Sequence, residues 1–165
     1  MARLVVVSNR VSVPNRDGAK HAGGLEVVLR PVLEQNGGIW FGWSGKAVPR
    51  SDVQMCTICH KNITYVVTDL SDEDYREYYN GFANRVLWPI LHFRLDLAEF
   101  ARRDLSGYMR VNGHFATELE KILAPDDLIW VHDYHLIPIA DALRRRATAT
   151  GSDFFCTSRC RRRRC

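Results

Sequence analysis

Two stretches of this chain are apolar without a break, Leu4-Val5-Val6-Val7 and Leu128-Ile129-Trp130-Val131. A strand with one wet face alternates polar and apolar residues. A strand with no polar position has to be covered on both faces, and that is the habit of parallel sheets flanked by helices. Helical patterns follow both runs, the first from about Gly24 to Glu34 with Gly37-Gly38 as its stop, the last from about Pro138 to Arg146. The expected fold is therefore α/β, a mostly parallel sheet of the doubly wound, Rossmann-like kind. In such sheets ligands collect beyond the carboxyl ends of the strands. Arg10 follows the first run and Asp133 the second, which puts a cation and a carboxylate on one rim.

Ile39 to Trp43 reads as a short aromatic strand, and Val53 to Ile58 with Ile63 to Leu70 as a hairpin around Lys61-Asn62. Ser71, with Asp74 three residues on, reads as a capping box that opens a helix through Tyr79. Trp88-Pro89 is expected to break any longer helix. From Asp104 the apolar positions Tyr108, Val111, Phe115, Leu119 and Ile122 recur at helical spacing up to Ala124-Pro125.

The 165 residues suit one domain with a real core. The net charge of +4 is uneven: Arg159 and Arg161 to Arg164 supply more than the whole excess, so the body is near neutral and gives no reason to expect nucleic acid. No apolar run is long enough to span a membrane, and the N-terminus lacks the features of a secretory signal, so no membrane partner and a cytoplasmic setting are expected. In that setting the five cysteines are not expected to form a disulfide framework.

Arg10 at a strand end, with Gly23-Gly24 opening a helix, has the parts of a phosphate site: a forked cation, close-approaching amides and a positive helix terminus. The loop from Asn9 to Ala22 is long and no G-x-G-x-x-G is present, so a structural turn with a surface arginine remains equally open on pattern alone. Asp133 could accept hydrogen bonds from sugar hydroxyls or act as a base; it could also cap the following helix. His132 and His135 lack zinc-type spacing and read as core or supporting histidines. Cys56-Thr57-Ile58-Cys59-His60 matches the haem-attachment pattern, but no export signal is present, and as a zinc half-site it would need a partner pair, for which Cys156 and Cys160 have the looser C-x3-C spacing; it reads as chance, so neither haem nor metal is expected. The stretch Glu77 to Pro89 is dense in aromatics with polar tips, as sugar sites are, and equally as core edges are.

Taken together, Leu4 to Arg10, Ala22-Gly23-Gly24-Leu25, Gly38 to Gly45, Tyr78 to Pro89, His92-Phe93-Arg94 and Trp130 to Leu136 resemble the amino-terminal part of the trehalose-6-phosphate synthase family, glycosyltransferase family 20. The match is collinear from Met1 to Arg146. The resemblance implies a GT-B glycosyltransferase with two Rossmann-like domains across a cleft, moving glucose from UDP-glucose to glucose 6-phosphate with retention and with no metal or cofactor. It implies that Arg10 contacts the acceptor phosphate, that Tyr79, Trp88 and Asp133 hold glucose 6-phosphate, Asp133 being the catalytic-site carboxylate, and that Gly23 and Gly24 close on the donor's phosphates. Arg and Lys groups that stabilise the leaving diphosphate belong to the family's second domain. A homo-oligomeric parent enzyme fits the same resemblance.

Residues 1–146 are thus expected to be an incomplete acceptor-side domain, and 147–165 a disordered Arg/Cys-rich tail outside the family pattern. Where the family continues Phe-Phe-Leu-His-Ile-Pro, this chain has Phe154-Phe155-Cys156-Thr157-Ser158-Arg159, the kind of text a one-nucleotide frameshift produces. Little synthase activity is expected from such a chain alone, and a non-catalytic sugar-phosphate-binding remnant is the alternative.

Overall fold

The computed structural model describes residues 3–14, 24–150 and 155–158. Among the described residues six strands form one sheet: β1 (Leu4–Arg10), β2 (Gly38–Val48), β3 (Met55–His60), β4 (Ile63–Ser71), β5 (Leu128–Val131) and β6 (Phe155–Ser158), in the order β3-β4-β2-β1-β5-β6. All neighbours are parallel except β3, which folds back antiparallel on β4 as the hairpin around Lys61-Asn62. The chain starts in the centre, moves outward through β2 and β4, then crosses back to lay β5 on the other side of β1. The order therefore reverses at β1/β5, and in sheets of this kind ligands bind beyond the strands' carboxyl ends at such a point.

The alternation along β1 divides the core. Val5 and Val7 face a cluster with Phe41, Val66, Tyr78, Phe115 and Leu119, whereas Val6 faces Trp40, Tyr65, Leu29 and Leu33. Helix α1 (Gly24–Asn36) covers the second face; α4 (Arg102–Glu120) and α5 (Ile139–Thr150) cover the first. Val5, Val6 and Val7 are all 0% exposed, as an unbroken apolar run requires. The second run is less covered. Ile129 is fully buried, but Leu128 is 38% exposed because it opens β5 at the sheet's rim beside Arg3.

The helix opened by Ser71 is longer than expected. Ser71 Oγ accepts from Asp74 N–H at 3.0 Å, as the capping box demands. From there α2 (Asp72–Asp74), a π-helix (Tyr75–Leu87) and α3 (Trp88–Leu91) follow without a break. Trp88-Pro89 thus does not end the helix. The Arg85 carbonyl, four residues before Pro89, is one that proline cannot satisfy; it accepts Glu99 N–H at 2.9 Å instead, so the proline leaves no orphaned acceptor there. The run stops four residues later, where Phe93 at φ 57 lets Arg94 N–H reach Pro89 O at 2.9 Å and Phe93 N–H reach Ile90 O at 3.1 Å.

The boundary expected at 146 falls inside α5. The tail beyond it is not wholly without structure either, since β6 pairs with β5 from Leu128↔Phe155 to Val131↔Ser158. Backbone pairing along an edge demands little of side-chain identity, so an unusual sequence can still add a strand. Residues 151–154 and 159–165 of that tail lie outside the described residues.

Arg3 ties the start of β1 to the turn before β5. Its guanidinium donates to both carboxylate oxygens of Asp127, at 3.0 and 2.6 Å, and Asp127 Oδ2 also accepts Ala124 N–H at 2.8 Å. Burial works against this carboxylate, yet the arginine and the amide together hold it below its ordinary pKa. Replacing Arg3 with methionine leaves a buried charge with one donor and should cost roughly 1–3 kcal/mol at pH 7. Because the folded pKa is depressed, the stabilisation is present above the ordinary carboxyl range and is lost as pH falls through the folded value. Urea melts at pH 7 and pH 2.5 should therefore separate the two proteins at the first pH and bring them together at the second.

Candidate active site

A β-bulge builds the entrance. β1 and β2 are in register up to Ser8↔Gly42, and the next partners are Arg10↔Trp43, so Asn9 is extra. A bulge breaks the alternation of faces and re-aims the side chains beyond it. Ser8 still faces α1, where its Oγ accepts the Trp40 indole N–H at 2.9 Å. Asn9 faces the π-helix and accepts the buried Tyr78 hydroxyl at 2.8 Å. Arg10, next along, reaches the same side, with its guanidinium carbon 6.0 Å from the centre of the Trp43 ring. It is exposed and makes no ion pair among the described residues.

An irregularity within β2, where its register with β4 shifts between Trp43 and Ala47, shapes the seat of this arginine. Trp43 Nε1–H donates to Lys46 O at 2.7 Å, Lys46 N–H to Ser44 Oγ at 3.1 Å, and Ser44 Oγ–H to Asp69 Oδ1 at 2.5 Å. Between them Gly45 takes φ 90, and a Cβ there would stand 2.8 Å from Arg10 Nε and 2.9 Å from Nη2. Gly45→Ala should push the guanidinium aside, because a flexible side chain yields before a backbone does. It should cost about 1 kcal/mol of stability for the positive φ. Affinity for a sugar phosphate should fall roughly tenfold by calorimetry. Unchanged affinity would show that Arg10 does not need this seat.

From Trp43 a line of rings crosses to Asp133. Tyr79 lies 5.8 Å from Trp43, and His135 lies 5.3 Å from Tyr79 with planes 13° apart. His135 Nδ1 then stands 2.9 Å from Asp133 Oδ2, at ion-pair distance though off the line of a hydrogen bond. Arg10, Tyr79 and Asp133, three of the residues expected at the acceptor, are thus joined through Trp43 and His135. Neither of those two was singled out as a site residue from sequence. Their signal is positional: Trp43 is the register partner of Arg10, and His135 sits two residues past Asp133.

Asp133 fulfils the capping alternative as well, since its Oδ1 accepts Tyr134 N–H at 2.7 Å. Its backbone sits at φ 83 and ψ 152, a region costing a residue with a Cβ about 1–3 kcal/mol. Burial raises its pKa, but His135, Tyr134 N–H and His132 outweigh this and keep the carboxyl below its ordinary value, ionised at neutral pH. Burial pulls His132 down more than Asp133 lifts it. Burial, reinforced by Asp133 and Tyr79, pushes the Tyr134 phenol up to about 12, and the buried Tyr78 phenol rises well above its ordinary range. At neutral pH Asp133 is an anion beside the neutral phenols of Tyr78 and Tyr134, and the exposed Arg10 guanidinium stands at the other end of the ring series, beside Trp43.

Trp88 stands apart from this line. It is 43% exposed and stacks on His92 at 4.2 Å, one turn beyond Asn84, whose Oδ1 meets the Tyr134 hydroxyl at 3.4 Å. Gly24 is the first residue of α1, and Gly23 lies outside the described residues. Cys56 and Cys59 are exposed on β3, where a three-residue separation points them to opposite faces. Among the described residues no group of three or more His, Cys, Asp or Glu could hold a metal ion, and no helix is long and apolar enough to cross a membrane.

The family model described as glycosyltransferase family 20 matches residues 2–157. A trehalose-6-phosphate synthase of Sinorhizobium fredii is 54% identical over 157 residues, 94% of this chain and 34% of that protein. The one from Cronobacter sakazakii is 46% identical over 155 residues, 94% of this chain and 32% of its own length. Among solved structures, the UDP-forming alpha,alpha-trehalose-phosphate synthase of Burkholderia xenovorans in complex with glucose-6-phosphate superimposes with a TM-score of 0.82 at 43% identity, over 94% of this chain and 33% of that one. The enzyme of Burkholderia vietnamiensis gives a TM-score of 0.81 at 47% identity, over 89% of this chain and 31% of that one. The chain spans about a third of the length of the curated relatives it matches.

Proposed function

The chain belongs to glycosyltransferase family 20, and from that premise we propose that it forms the acceptor side of a retaining, UDP-forming trehalose-6-phosphate synthase. The observation that carries the reading is the single line Arg10–Trp43–Tyr79–His135–Asp133 at the point where the strand order reverses. Its polarity suits glucose 6-phosphate. The guanidinium takes the phosphate, the aromatic faces lie along the sugar, and the ionised carboxylate accepts hydrogen bonds from its hydroxyls. In the reaction the bond from the donor's anomeric carbon to UDP breaks and a bond to the acceptor's anomeric oxygen forms. The acceptor's hydroxyl proton leaves as UDP departs. Asp133, ionised and fixed, orients that acceptor.

Gly23 and Gly24 stand for the donor side in this proposal, and Trp88 for the outer wall of the acceptor site. Preorganised cations that stabilise the departing diphosphate are needed as well; the resemblance assigns them to a second domain. To the same proposal belong the cytoplasmic setting and the self-association expected of the parent enzyme. A coupled assay for UDP release, with UDP-glucose and glucose 6-phosphate both supplied, tests this division of labour. The 165-residue chain should turn over far more slowly than a full-length relative, and comparable turnover would overturn the assignment.

A further inference from the structure

We propose that His135 is a positioning residue that locks the Asp133 carboxylate and the Tyr79 ring into one rigid seat for the acceptor sugar; the inference rests on the acceptor-site reading of Asp133. His135 is 4% exposed, and its imidazole stacks with two phenol rings, Tyr79 at 5.3 Å and 13° and Tyr134 at 4.2 Å and 26°. Its backbone is fixed too, since the His135 carbonyl accepts Asn112 Nδ2–H at 3.1 Å. A ring stacked with two others cannot turn freely, so its edge is aimed where the stack puts it.

That edge faces Asp133. Among the described residues neither ring nitrogen has a hydrogen-bond partner, and Nδ1 stands 2.9 Å from Asp133 Oδ2. Buried polar nitrogens are costly when unpaired. A proton on Nδ1 pointed at this carboxylate satisfies one of them and needs only a small adjustment of angle. The carboxylate has reason to be held, because the Asp133 backbone at φ 83 and ψ 152 would otherwise relax. Its other oxygen is tied to Tyr134 N–H. The remaining titratable groups acting on Asp133 are His132 and the phenols of Tyr78, Tyr108 and Tyr134. His132 is adjacent in sequence, but no stacked pair of rings holds it against the carboxylate. His135 meets both Asp133, at 2.9 Å, and Tyr79, at 5.3 Å between ring centres.

Two substitutions separate a polar hold from aromatic filling. His135→Phe keeps a ring against the tyrosines and removes the N–H. His135→Asn removes the ring, while its amide keeps a donor near the Nδ1 position. The Asp133 carboxyl is followed by carbon NMR across pH, and glucose 6-phosphate affinity by calorimetry. In His135→Phe the Asp133 midpoint should move upward and the affinity fall roughly tenfold; in His135→Asn the Asp133 midpoint should stay near the parent value while the affinity falls, because the ring that holds Tyr79 is gone. A space-filling role leaves both quantities of His135→Phe near the parent values and would overturn the proposal, as would an unmoved Asp133 midpoint in His135→Phe. Should the parent chain show no binding of glucose 6-phosphate while the Asp133 midpoint still moves in His135→Phe, the acceptor-site reading falls and the hold of His135 on Asp133 stands. If His135→Asn does not fold, the titration of His135→Phe decides by itself.

Discussion

Arg10→Ala should weaken glucose 6-phosphate binding by roughly 10- to 100-fold, the worth of a charge-assisted hydrogen bond of about 1.5–3 kcal/mol. Calorimetry on the two purified proteins measures it. The fold should not suffer, because the side chain is exposed and makes no ion pair among the described residues; a surface change of this kind moves stability by about 0.5 kcal/mol or less. Arg10→Lys should recover only part of the loss, since a single ammonium lacks the fork that grips two phosphate oxygens. Glucose without the phosphate should bind the parent and Arg10→Ala alike. Equal loss for glucose and glucose 6-phosphate would mean that Arg10 shapes the site rather than reading the phosphate.

The second large effect lies in the core. Phe115 on α4 is 0% exposed, meets Phe41 edge-on at 5.4 Å and lies 6.5 Å from Tyr78. Phe115→Ala should cost about 3–5 kcal/mol through lost burial and the cavity left behind. That is a large part of the roughly 5–15 kcal/mol available to a domain. The urea midpoint should drop sharply with little change in slope. Phe115→Leu, which keeps most of the volume, should cost less than about 1.5 kcal/mol. Phe115 backs Tyr78, and Tyr78 holds Asn9, so the same truncation should loosen the bulge that aims Arg10. A small effect from Phe115→Ala would mean that the helix layer bears little of the sheet's stability.

The framework of the fold was legible because its signals are local. The Leu4–Val7 run announced a strand covered on both faces, Lys61-Asn62 announced a hairpin, and Ser71 with Asp74 announced a helix start. Arg10 and Asp133 were readable as rim residues because strand ends can be found from apolar runs. The parts that escaped depend on partners distant in sequence. Asn9 bulges out of β1 to meet a hydroxyl 69 residues away, and no local pattern marks that. Pro89 looked like a helix terminator because its remedy, Glu99 N–H on the Arg85 carbonyl, comes from the chain beyond. Nothing local marks the winding of Tyr75–Leu87 as π rather than α, and this stretch carries Tyr78 and Tyr79 to the site. Asp133 was set between capping and binding as alternatives, whereas one oxygen caps Tyr134 and the other is left to face His135.

We place the acceptor site along Arg10, Trp43, Tyr79 and Asp133, at the carboxyl ends of β1 and β5. Amide and indole NMR shifts followed while glucose 6-phosphate is added to the labelled chain test it most directly. Shifts should concentrate on residues 8–11, 43–46, 75–79 and 132–135, saturate together with one affinity, and disappear from the first two groups when glucose replaces glucose 6-phosphate. Saturable shifts confined to another surface, such as the exposed β3 strand, or none at millimolar ligand, would contradict it.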